Sequence, residues 1–275
     1  MLRKQIKYDF KALMRILLPL FGGVLALSLL GAVALRITTG MTSANSSITG
    51  TVFTFVATFF VMIAAILVMS CTLITLLIAA LRYYRDLTCD EGYLTFTLPV
   101  TPGSILTSKL ITGFVSVLIS LIVTLISLLL LLYIGTADLP ELFTAIREGL
   151  SALFMQLASG WDGLCTLCFV LAVMTVLVCI VQTLLTVYTS ITLGSKFTRK
   201  YRLLAAVAFY FMLNLILNIL EIPVISLLYF QNYNVSDPLL VLTRLIGIQL
   251  IYMAVISVVC FMVTRRLLSK NLNLE

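Results

Sequence analysis

Residues 110–134 read LITGFVSVLISLIVTLISLLLLLYI, an uninterrupted stretch without a charged side chain. A helix needs about 20 apolar residues to cross a hydrocarbon core of about 30 Å, and this stretch exceeds that length. A transmembrane β-strand would alternate apolar and polar residues, whereas positions 125–133 are apolar almost throughout. The stretch is therefore a spanning helix. Five further runs share its character, near 16–35, 52–81, 163–193, 203–230 and 239–263. Composition agrees: 61% of residues are hydrophobic and 11% charged, and the mean hydropathy is +1.17, far from the usage of soluble domains. The sequence predicts an all-α integral membrane protein of six transmembrane helices, a single domain over 1–275.

Orientation follows from Lys and Arg, which are retained on the cytoplasmic side of short loops. Arg3, Lys4, Lys7, Lys11 and Arg15 precede the first span, while Arg82, Arg85 and Lys109 lie between the second and third. Lys196, Arg199, Lys200 and Arg202 join the fourth span to the fifth, and Arg265, Arg266 and Lys270 follow the sixth. Of the 18 basic residues, that leaves Arg36, Arg147 and Arg244 for the other side, together with Asp138, Glu141, Glu148, Asp162 and Asp237. Both termini and the 82–109 loop are expected in the cytoplasm. The net charge of +7 then signals topology and attraction to anionic lipid headgroups, not a nucleic-acid partner. Ala32-Val33-Ala34 has the form of a signal-peptidase site. Its apolar run is as long as a full span, however, so an uncleaved first span is expected.

Two amphipathic segments flank the spans. Leu2, Ile6, Phe10, Leu13 and Leu17 recur at helical spacing among basic residues, so 1–15 reads as an interfacial helix or as a basic leader that sets topology. Asp138-Leu-Pro-Glu141 is a helix start, and Leu142, Phe143, Ile146, Leu150, Leu153, Phe154 and Leu157 continue one face. Residues 136–160 therefore predict an external amphipathic helix that covers the bundle or shapes an exit.

The loop between the second and third spans contains TCDEGYLTFTLPVTPGSILTSK at 88–109. Thr88 and Glu91 match a capping box, and Pro99 ends what begins there, which predicts a short helix near 89–97. Thr101-Pro102 then opens the next helix. Tyr93, Leu94 and Phe96 are too apolar to be left in water. Either they lie on lipid headgroups or they fill a groove on a soluble partner.

Glu91-Gly92-Tyr93-Leu94, Leu98-Pro99-Val100, Ile105-Leu106 and Ser108-Lys109 resemble the corresponding loop of bacterial ABC transporter permeases of the type-2 exporter class. The resembling motif covers residues 88–109, and elsewhere only the hydropathy pattern, length and cytoplasmic ends are similar. The resemblance implies a coupling helix that docks on a separate ATP-binding subunit through Asp90, Glu91, Tyr93, Leu94 and Phe96, in the plasma membrane of a bacterial cell. It also implies that the chain works as a pair, with a second copy or a sister permease. Many members of that family carry a longer re-entrant element between the last two spans than residues 231–238 provide here.

The residue inventory is consistent with a non-enzymatic subunit. No GxxxxGK[ST] phosphate loop occurs, so ATP would be bound by the partner and the chain itself needs no cofactor. There is no histidine, which removes HExxH metal sites and serine–histidine catalysis. Cys165-x-x-Cys168 has no matching second pair, so neither zinc nor a disulfide framework is expected. Within the spans, Asn214, Asn218 and Glu221 fall on one face of the fifth helix, with Tyr210 one turn earlier. Such a carboxylate must face protein or water. It pairs with Arg244 of the sixth span, fastening two helices, or it lines a translocation path. The expected function is the membrane subunit of an ATP-driven exporter of a peptide, lipid or hydrophobic compound. The alternatives are an ATP-independent transporter or channel, or a non-transporting partner of a sensor complex.

Overall fold

In a computed structural model of the chain, described residues are 2–42, 48–88, 102–136, 144, 147–149, 151–152, 155, 163–197, 201–232 and 237–270. Six long helices account for almost all of them: α1 (Leu2–Thr42), α2 (Ile48–Thr88), α3 (Pro102–Thr136), α4 (Gly163–Phe197), α5 (Arg202–Asn232) and α6 (Pro238–Lys270). Each contains a stretch long and apolar enough to cross a membrane, as the hydropathy pattern requires of a multi-pass membrane protein.

The helices overrun the apolar runs that identify them. α2 has 41 residues, roughly 60 Å at 1.5 Å per residue and about twice the hydrocarbon thickness. α3 begins at Pro102, where a proline without an N–H is tolerated in a first turn. α6 begins at Pro238 in the same way, and the carbonyl of the preceding Asp237 accepts from Val241 N at 3.3 Å. The 1–15 segment and the first apolar run belong to one uninterrupted helix, since α1 is helical from Leu2 to Thr42. The physical reason is a stripe that does not change phase there: Leu13, Leu17, Phe21 and Val24 are all buried at four- and three-residue spacing. In the region of the expected external helix, residues 144, 147–149, 151–152 and 155 are helical and exposed, while the remainder of 136–160 beyond Thr136 lies outside the described residues.

The chain packs as two compact units. One consists of Tyr8–Ile78 and Val115–Gln156. Its core is the α1 stripe set against Val68 and Cys71 of α2, with Ile119, Val123 and Leu128 of α3 partly buried around it. Ala64 of α2 lies close to Gly31 of α1. Small residues allow such proximity, which matters where lipid removes the hydrophobic drive and contact must come from close packing.

The other unit consists of Met1–Lys7, Ala79–Phe114 and Leu157–Glu275. α4 is its centre, packed against both α5 and α6, and from Leu184 to Thr192 every side chain on it is buried. Leu185, Ile256 and Cys260 form the core, with Leu110, Val181, Leu217 and Tyr252 packed against them. The hydroxyls of Thr186, Thr189, Ser190 and Thr192 donate to carbonyls one turn back at 2.7–2.9 Å, so burial leaves none of them unsatisfied.

α4 and α5 meet at an extremely close crossing. A Cβ on Gly194 would lie 2.5 Å from the backbone nitrogen of Ala206 and 2.7 Å from its Cα. No other residue type leaves room there.

Candidate functional site

Two constellations of polar side chains lie in the second unit. The first sits where α2 ends and α3 begins, at the root of the 89–101 segment. Lys109 Nζ donates to Asp86 Oδ2, an ion pair that ties the last turns of α2 to the early turns of α3. Both side chains are largely enclosed, with 11% of Lys109 and 15% of Asp86 exposed. A pair so shielded is held by far less screened electrostatics than a surface pair.

Aromatic packing extends this brace to α4. The rings of Tyr83 and Tyr188 stack with centroids 4.2 Å apart and planes 21° from parallel. Tyr188 Oη donates to the Lys109 carbonyl at 3.3 Å. Gly113 makes this possible, because a Cβ there would stand 2.8 Å from Tyr188 Oη and 3.3 Å from Leu184 Cδ2. Arg265 of α6 lies against the first turn of α3 at Gly103. The ends of α2 and α3 are thus fixed to α4 and in contact with α6.

Beside the ion pair is a cavity of about 20 Å³ bordered by Leu87, Ile105, Leu106 and Leu268. It has room for little more than a water molecule.

The second constellation joins α5 to α6. Gln249 Nε2 donates to Glu221 Oε1 at 2.6 Å. One turn away, Tyr252 Oη donates to the Leu217 carbonyl, also at 2.6 Å. Asn214 Nδ2 donates to the Tyr210 carbonyl at 2.9 Å. Asn214 and Glu221 are half-buried and Asn218 is exposed. Arg244 is exposed on α6, five residues before Gln249. The structure thus gives Glu221 an amide partner, Gln249, that sequence reading did not identify.

The expected docking residues Asp90, Glu91, Tyr93, Leu94 and Phe96 lie outside the described residues. Sequence reading did not single out Tyr83, Asp86 or Tyr188, which brace the helices on either side of that segment. A legible signal existed for the ion pair: opposite charges at Asp86 and Lys109 on either side of a short segment, each set in an apolar run. It also missed a stripe on α3, where Ser108, Thr112, Ser116, Ser120, Thr124 and Ser127 recur every three or four residues and are all buried. Small residues at that spacing admit close helix packing.

Among the described residues, no three His, Cys, Asp or Glu side chains come together to hold a metal. Cys71, Cys165, Cys168, Cys179 and Cys260 are free thiols. Comparison with protein-family models, with curated proteins and with solved structures finds no match to this chain.

Proposed function

We propose that the chain is the membrane-spanning subunit of an ATP-driven transporter, an exporter whose energy comes from a separate ATP-binding subunit docked on residues 90–96. Six apolar helices provide the membrane body. The observation that carries the coupling is the brace at the root of the segment: Asp86 and Lys109 bridge its two flanking helices, and Tyr83 with Tyr188 fastens them to α4. A loop that merely connects two spans needs no such anchorage. A segment that receives force from a partner does, since a displacement passes through packed helices only when its footing is stiff.

In this reading the segment faces the cytoplasm, in keeping with the concentration of Lys and Arg at that end of the spans. Asp90, Glu91, Tyr93, Leu94 and Phe96 enter a groove on the ATPase. Closure of the nucleotide-bound ATPases moves the braced ends of α2 and α3 together, and this exposes a cavity to the opposite side. The chain functions as a pair with a second copy or a sister permease.

Tyr93→Ala combined with Phe96→Ala tests the reading. The wild-type chain, solubilised from its own membranes, should carry a polypeptide with a GxxxxGK[ST] loop and ATPase activity, and the double variant should lose it. An ATPase retained in full by the double variant would overturn the proposed contact.

A further inference from the structure

We propose that the edge of α5 formed by Asn214, Asn218 and Glu221 recognises an amphipathic organic cation, an ammonium group carried on an apolar body. The inference rests on the reading of the chain as a transport subunit and assigns its substrate class.

Asn214, Asn218 and Glu221 recur at i, i+4 and i+7, one line along the helix. Two hydrogen bonds fix what this line offers. Asn214 gives its amide nitrogen to the Tyr210 carbonyl, which leaves its oxygen as the free acceptor. Gln249 gives its amide nitrogen to Glu221 Oε1, which holds the carboxylate in place. Glu221 is the lone acid in the apolar part of α5. The base Arg244 is five residues along α6 from Gln249, about 7.5 Å of helix rise. The line is therefore rich in acceptors and includes one carboxylate.

The neighbouring line on the same helix is apolar. Phe211, Leu215 and Ile222 flank Asn218 at i−7, i−3 and i+4, and they are 68%, 59% and 65% exposed. Asn218 is exposed between the two lines. A carboxylate and an uncovered amide on a spanning helix are unfavourable against lipid and favourable against water or a ligand of opposite charge. A molecule with an ammonium head meets Glu221 and Asn218 while its body covers Phe211, Leu215 and Ile222. A neutral molecule of the same shape covers the apolar line but leaves the charge unmatched.

The test uses the purified chain in an uncharged detergent, with no ATPase present and with empty micelles as the blank. Binding of monodansylcadaverine, a primary ammonium on an apolar fluorescent body, is compared with that of its neutral N-acetyl derivative. The wild-type chain is expected to prefer the cation about tenfold, the equivalent of a weak charge-assisted contact. Glu221→Gln, which retains an acceptor oxygen for Gln249, should remove that preference and leave binding of the neutral form unchanged. Glu221→Asp should keep the preference. Equal binding of the two forms by the wild-type chain would overturn the proposal, and this comparison holds whether or not any variant folds. A Glu221→Gln chain that still prefers the cation would overturn it too. Because no ATPase takes part, failure here leaves the docking of residues 90–96 intact, and failure of that docking leaves this binding unaffected.

Discussion

Tyr83 of α2 and Tyr188 of α4 stack at 4.2 Å between ring centroids, and Tyr188 reaches past this contact to hydrogen-bond the backbone of Lys109 on α3. A single side chain thereby links three helices. Both rings are almost wholly buried, so the two parts of the contact can be separated by substitution. Tyr188→Phe removes only the hydrogen bond and should cost about 1 kcal/mol. Tyr188→Ala also removes the stack and opens a cavity, and should cost about 3–5 kcal/mol. Thermal unfolding of the purified chain in detergent measures both. Equal losses for the two variants would show that the stack contributes nothing.

Gly113 offers a reciprocal test of the same arrangement. Gly113→Ala places a Cβ 2.8 Å from Tyr188 Oη, which a rigid ring cannot evade, and should destabilise by about 1–3 kcal/mol. Adding Tyr188→Phe removes the clashing oxygen and should recover part of the loss. The thermal double-mutant cycle should therefore show coupling between the two positions.

Gly194→Ala should be the more severe glycine replacement. The new methyl group meets the backbone of Ala206, which cannot rotate out of the way, so the α4–α5 crossing must open. A loss of about 3 kcal/mol is expected, at the upper end for overpacking. Unchanged thermal stability of Gly194→Ala would contradict the crossing described here.

Asp86→Asn or Lys109→Met should each cost about 3 kcal/mol, because each leaves an enclosed charge without its counter-ion. Exchange of the two residues, Asp86→Lys with Lys109→Asp, should restore most of the stability. If the pair transmits force, the single variants should also bind the proposed ATPase normally while responding less to it. Stimulation of the proposed partner's ATP hydrolysis by the chain is the measurement that checks this, and full stimulation by both single variants would confine the pair to a structural role.

The sequence made the six helices legible because apolar length is a property of each segment alone, and bilayer thickness sets the length required. Pro102 likewise marks the start of α3 from local chemistry only. The ends of α2 and the continuity of α1 were less legible, since a helix extends beyond its apolar part wherever no residue breaks it. The brace was not legible as a unit. Tyr83 and Tyr188 lie 105 positions apart in the chain, and nothing in either neighbourhood names the other. Glu221 shows the same limit: its face on α5 could be read from helical spacing, whereas its partner Gln249 follows only from how α5 and α6 pack.

The contact on which the account depends can be examined where it is proposed to occur. A photoreactive benzoylphenylalanine placed at Tyr93 or at Phe96 keeps an aromatic ring at the proposed docking segment, and irradiation in native membranes records what that ring touches. An adduct with a soluble subunit that carries a GxxxxGK[ST] phosphate loop is expected from both positions. Adducts with lipid alone from both positions would contradict it.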